Sequence, residues 1–118
     1  MKFKFEDLII WQKAMDLGED INLLADTFPT KEQYNLSSQI RRAADSVALN
    51  ISEGSILQSG AEYRKFLGYS IRSIAEVVTC LHKIKRRNYC SNDIFEKHYK
   101  SCFDLINMTI AFRSKIKT

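Results

Sequence analysis

Apolar residues recur every three or four positions along almost the whole chain, and breaks in that rhythm divide it into four segments. In the first, from about Glu6 to Phe28, Leu8, Trp11, Met15, Gly18, Ile21, Ala25 and Phe28 share one helical face. Pro29 ends it, because proline has no amide hydrogen and its ring clashes with the preceding turn. Thr30, with Gln33 three residues on, has capping-box spacing and predicts a second helix over about 31–54. Its inner face is Leu36, Ile40, Ala43, Ala44, Val47 and Ile51, and Gly54 offers a left-handed stop. Ser59 and Glu62 repeat the capping signal before a third helix over about 60–87, with Tyr63, Leu67, Ser70, Ile74, Val77, Leu81 and Ile84 in heptad order. Ser91 caps a fourth over about 91–116, where Phe95, His98, Cys102, Leu105, Thr109, Phe112 and Ile116 keep the same spacing.

Four helices of similar length, each about 30 to 40 Å at 1.5 Å per residue, joined by short connections, must pack as antiparallel neighbours. The expected fold is all-α, an antiparallel up-down-up-down four-helix bundle forming a single domain over residues 1–118. MKFK reads as an extended arm whose Phe3 and Phe5 need a surface to cover. Some helices are apolar over more than one stripe: Tyr99, Phe103, Ile106 and Ile110 on the fourth, Phe66, Tyr69 and Cys80 on the third. A helix with two apolar stripes usually has two partners, so the chain is expected to associate with itself; the alternative is that these aromatics thicken the core of a monomer.

A row of polar residues interrupts this pattern. Gln39, Arg42, Ser46, Asn50 and Glu53 fall within about 80° of one another at 100° per residue, directly beside the apolar face of the second helix. Charged groups at the edge of a core need partners. The third helix offers both signs through Glu62, Arg64, Arg72 and Glu76, and a hydroxyl through Ser73. The expected result is a structural polar network of Gln39, Arg42, Ser46, Asn50, Glu53, Ser73 and Glu76 that fixes register between helices or subunits.

Composition narrows the class. The 118 residues are 45% hydrophobic and 27% charged, with four Gly and one Pro, as a soluble helical domain requires. Three cysteines, odd in number and without a CxxC pair, predict reduced thiols in a cytoplasmic protein. No apolar run approaches the ~18 residues of a membrane span, and the acids in MKFKFEDLII do not fit a secretion signal. A formal charge of +4 permits nucleic-acid binding without requiring it. Candidate phosphate-binding residues are Arg41 and Arg42 on the second helix and Arg64, Lys65 and Arg72 on the third. The run KIKRR at 83–87 closes a helix, where cations offset the dipole.

Catalysis finds no constellation. Ser46 has no histidine near it in sequence and Glu53 no second carboxylate, so no catalytic residue and no enzyme are expected. His98 and Cys102 share a helix face, but zinc needs more ligands and His82 is the one other histidine. A di-iron bundle would show Glu-x-x-His, which is absent, as are glycine-rich phosphate loops. No metal or cofactor is expected. The connection GSILQSG is too long for a helix-turn-helix.

The stretches FEDLIIWQKAMDL (5–17), LSSQIRRAADSVALNISEGS (36–55) and EYRKFLGYSIRSIAEVVTCL (62–81) resemble the 23S rRNA intervening-sequence proteins. The middle stretch, with its Q-RR-S-N-EG spacing, is the most specific; Ser52 stands where the family often has Ala. The resemblance implies an antiparallel bundle assembling as a ring, a pentamer, from a bacterial family whose biochemical function is not established. The chain is also similar to the accessory protein of diversity-generating retroelements, which implies partners among RNA, DNA and protein. Together these lead to the expectation of a non-enzymatic, ring-forming scaffold that binds nucleic acid or nucleoprotein. The alternative is a pure protein-interaction scaffold whose basic residues hold subunits together.

Overall fold

The computed structural model describes residues 1–56 and 59–118; Leu57 and Gln58, in the connection judged too long for a helix-turn-helix, lie outside them. Among the described residues there are four α-helices: α1 (Ile9–Ala25), α2 (Leu36–Ser55), α3 (Gly60–Arg86) and α4 (Asn92–Ser114). Short 3-10 turns at Lys4–Asp7 and Thr30–Glu32 precede α1 and α2. The rod they form measures 44 × 23 × 23 Å.

Side-chain bonds fix the direction of each helix against its neighbour. Arg41, near the start of α2, donates to Asn22 Oδ1 at 2.9 Å and pairs with Asp26, both at the end of α1. Ser70 of α3 donates to the carbonyl of Val47 at 2.9 Å, midway along α2. Arg64, at the start of α3, donates to the carbonyl of Arg113 at the end of α4, and Arg113 Nε returns a bond to the carbonyl of Arg64, each at 2.8 Å. Consecutive helices are therefore antiparallel, and α1 packs against α4 to close the bundle.

The core is the predicted one on three helices. Ile40, Val47 and Ile51 of α2, Leu67, Ile74, Val77, Leu81 and Ile84 of α3, and Cys102 of α4 are fully buried. On α1 the face is shifted in its first half. Gly18, Ile21, Ala25 and Phe28 are buried as expected, but Ile10, Ala14, Leu17 and Leu24 complete the stripe, while Met15 is exposed and Leu8 and Trp11 half-buried. Trp11 is drawn sideways by Phe5, whose ring lies 5.3 Å away, and Phe5 stacks in turn on Phe3 at 5.4 Å. The N-terminal arm is thus a small aromatic turn laid on α1.

Three boundaries differ from the sequence pattern, each for a local reason. The helix expected from Glu6 begins at Ile9, because Lys4–Asp7 forms its own turn and Leu8 is extended. The helix expected from residue 31 begins at Leu36: Thr30 makes no capping bond, and Pro29 leads into a 3-10 turn. Gly54 does not stop α2, which continues through Ser55, and no glycine has a positive φ. Gly54 is needed for closeness: a Cβ there would sit 2.8 Å from Phe66 Cβ and 3.2 Å from Tyr63 Cδ1. Ser59 and Ser91 cap as expected, accepting from the amides of Glu62 (3.1 Å) and Ile94 (3.2 Å). The end of α3 is closed by Asn88 at φ 60, with Tyr89 N donating to Ile84 O and Asn88 N to Lys85 O, a Schellman arrangement.

Candidate nucleic-acid interface on α2 and α3

The polar row of α2 divides. The Ser46 hydroxyl donates to the Ala43 carbonyl at 3.0 Å and shares a short hydrogen bond with Ser73 of α3. Asn50 Nδ2 donates to the Ser46 carbonyl at 2.8 Å. All three are half-buried; the Ser46–Ser73 bond joins α2 to α3, while the Asn50 bond stays within α2. Gln39 is half-buried without an ion or side-chain partner, and Arg42, Glu53 and Glu76 are exposed and outside every ion pair among the described residues. The row is therefore a hydrogen-bonded centre with charged ends reaching solvent.

The five candidate cations also part company. Arg41 is held by Asn22 and Asp26. Arg64 is spent on the carbonyls at the end of α4, Arg113 at 2.8 Å and Ile116 at 3.4 Å. Arg42, Lys65 and Arg72 are exposed and pair with no carboxylate among the described residues. The Arg72 guanidinium lies 5.5 Å from the Tyr69 ring centroid, and Tyr69 meets Phe66 edge-on at 5.3 Å. The outer side of α3 thus presents cations beside aromatic rings, a surface suited to phosphate and base together.

A second cluster has no local sequence signal. Glu32, buried in the α1–α2 connection, accepts from Tyr89 Oη at 2.7 Å, Arg87 at 2.8 Å and Asn35 at 3.1 Å. The Tyr89 hydrogen bond, aided by Arg87 and Asn35, holds the Glu32 carboxyl below its usual pKa against the cost of burial. The same bond to Glu32 raises the Tyr89 phenol. Three donors converge on the Glu32 carboxylate, and the clip ties the two connections at one end of the bundle. KIKRR gains a structural member in Arg87, while Lys83, Lys85 and Arg86 stay exposed.

The buried His98 and Cys102 of α4 are shifted by their surroundings. Burial, with Lys97 beside it, pushes the His98 imidazole down against the opposing pull of Asp20, and burial pushes the Cys102 thiol up to about 12. Such a thiol is un-ionised and inert. No group of three or more His, Cys, Asp or Glu side chains among the described residues is placed to hold a metal. No helix among the described residues is long and apolar enough to cross a membrane.

With the fold in place, the relationship follows from coverage. The sequence model of the 23S rRNA-intervening sequence proteins matches residues 6–111, from the aromatic arm to the last turns of α4. The chain belongs to this family. Its fold is similar to that of a protein of unknown function from the S23 ribosomal protein family of Bacteroides thetaiotaomicron, with a TM-score of 0.82 and 21% identity, over 89% of this chain and 98% of that one. At that identity the likeness shows the fold alone. No curated protein matches the chain. The family assignment thus fixes architecture and ancestry and leaves the activity to be argued from the surface.

Proposed function

We propose that the chain is a non-enzymatic, ring-forming bundle that binds nucleic acid through the outer side of α2 and α3. The observation that supports this reading is the set Arg42, Lys65 and Arg72, three exposed cations with no carboxylate partner among the described residues. Repeated around a ring, three per subunit is enough for a cooperative phosphate surface. Arg41 and Arg64, engaged within the fold, are positioning residues rather than ligands. Their engagement favours a second reading, a protein scaffold whose arginines serve the architecture.

Anisotropy of a labelled single-stranded RNA and its DNA equivalent, titrated across salt, separates the two. Binding should weaken linearly in log–log form with a slope of about −0.7 per neutralised phosphate. Arg42→Glu, Lys65→Glu and Arg72→Glu combined should abolish it while native mass and helicity stay unchanged. A wild-type chain that leaves both probes unshifted at low salt removes the nucleic-acid reading. Arg41→Glu with Arg42→Glu dissociating the oligomer, at unchanged nucleic-acid affinity, supports the scaffold.

A further inference from the structure

The seam between α1 and α2 opens on a groove of about 450 Å³, walled by the two helices and the N-terminal arm. Phe5 and Trp11, with ring centroids 5.3 Å apart, form one end. Met15 and Leu49, 43% and 59% exposed, form the sides, and Ala14, Gly18 and Ala48 keep the floor low. Ser52 donates to the carbonyls of Ala48 and Leu49 at 3.1 and 3.0 Å, so its hydroxyl is engaged by its own helix. Glu19 and Asp45 close the other end, outside every ion pair among the described residues. The Asp45 carboxylate leans across the seam onto α1: a Cβ on Gly18 would lie 3.3 Å from its Oδ1. Arg41, one turn before Asp45 on α2, is held by Asn22 and Asp26 instead.

The groove is therefore graded, aromatic at one end and doubly acidic at the other. At 1.5 Å per residue, Trp11 and Glu19 stand about 12 Å apart along α1. We propose that it binds a small organic cation. The apolar body of the ligand lies along Phe5, Trp11, Met15 and Leu49, and a primary ammonium or guanidinium at its end sits between Glu19 and Asp45. This site is separate from the α2–α3 face and does not depend on the nucleic-acid reading.

Charge selects the ligand's sign. Two carboxylates beside an apolar wall repel phosphates and acids, and as ionised groups they only accept hydrogen bonds. An ammonium or guanidinium brings several N–H donors and the opposite charge, whereas a neutral ligand strips water from the carboxylates with little return. Size selects a small molecule. The volume falls within the roughly 300–1,000 Å³ of small-molecule sites. The Lys4–Asp7 turn packs on both α1 and α2 and puts Phe5 in the wall, so it blocks the seam against a partner helix running along it. The same turn is pinned, which leaves the aromatic end formed before any ligand arrives: Gln12 Nε2 donates to the Glu6 carbonyl, and Phe3 N to Glu6 Oε2, each at 2.8 Å.

Trp11 is the one tryptophan of the chain and stands in the groove wall, so its fluorescence reports occupancy. Titration of the full chain with 4-phenylbutylammonium should give a saturable change in that signal. The uncharged 4-phenylbutanol should bind at least about tenfold more weakly, and the anionic 4-phenylbutyrate should not bind. Glu19→Gln with Asp45→Asn, both at exposed positions, should weaken the ammonium about tenfold, leave the alcohol unchanged and leave the helical circular dichroism intact. Asp16→Asn with Glu96→Gln removes as much charge from exposed positions outside the groove and should alter no affinity. No saturation with the ammonium, equal affinity for ammonium and alcohol, or an affinity untouched by loss of Glu19 and Asp45 overturns the proposal. A basic amphipathic peptide that shifts Trp11 where the ammonium does not overturns it in favour of protein docking. RNA and DNA binding is read from labelled probes, so failure at the groove and failure of the nucleic-acid reading are told apart.

Discussion

The α2–α3 seam and the α1–α4 seam use the same kind of helix and pack in opposite ways. Between α2 and α3 the backbones come close: Gly54 leaves no room for a Cβ against Phe66 and Tyr63 of α3. Ser70 and Ser73 then bond across to α2, so even the polar groups of this seam serve contact. Between α1 and α4 the helices leave clefts, one midway along the rod and one at the end where α1 starts. One cleft of about 250 Å³ is lined by Lys13, Asp16, Leu17, Asp20, Ser101 and Asp104. Another, of about 400 Å³, lies among Leu8, Ile10, Met108 and Phe112. The difference teaches where cohesion resides: side-chain size at the seam, rather than hydrophobicity of the helices, sets how tightly a pair closes.

The strongest way to break this comparison is to empty the same kind of volume on each side. Ile74 is fully buried between α2 and α3, so Ile74→Ala should cost about 2–5 kcal/mol, read from the urea midpoint. Met108, half-buried at the open cleft, should lose less than about 2 kcal/mol on the same truncation, since water already reaches it. Equal costs would mean that the two seams contribute alike.

Next in size is a methyl group added instead of removed. Gly54→Ala forces a Cβ to within 2.8 Å of Phe66 Cβ and should cost about 1–3 kcal/mol as the helices part. Gly68→Ala, where the nearest atom is Arg113 Nε at 3.8 Å, should instead stabilise by about 0.5–1 kcal/mol through helix propensity. Opposite signs from one substitution, at Gly54 against α3 and at Gly68 facing Arg113 of α4, would locate the close approach at the α2–α3 seam; a neutral Gly54→Ala would dissolve it.

These positions also show what was legible in advance. The heptad of α3 from Leu67 to Ile84 and the inner face of α2 were readable because full burial and helical period coincide there. Ser59 and Ser91 were readable as caps because a cap acts within three residues. Gly54 was misread as a stop, since its need for closeness is set by Phe66 on another helix. The α1 stripe slipped because Trp11 and Met15, large and apolar, belong to a surface groove and not to the core. Glu32 gave no sign at all: its partners Arg87 and Tyr89 lie 55 and 57 residues away. Of the candidate cations, sequence supplied the residues but not the split between Arg41 and Arg64, engaged in the fold, and Arg42, Lys65 and Arg72, open to solvent.

The smallest expected effect sharpens the comparison through protons. His98 belongs to the α1–α4 side, where burial and Lys97 lower its pKa and Asp20 offsets them in part. A folded pKa below the unfolded value means that the unfolded chain takes up the proton more readily. The His98 contribution is therefore intact above about 6.5 and is lost as pH falls through that value and the lower folded one. Glu32 has the same sign at lower pH: its carboxyl is held down by Tyr89 first and by Arg87, so its contribution persists above about 4.5 and fades below. Thermal unfolding should thus show two acid steps, a shallow one just below neutrality and a later one. His98→Leu should erase the first alone, and Glu32→Gln the second alone. The first step is small because the Asp20 carboxylate already offsets part of what burial and Lys97 cost the imidazolium.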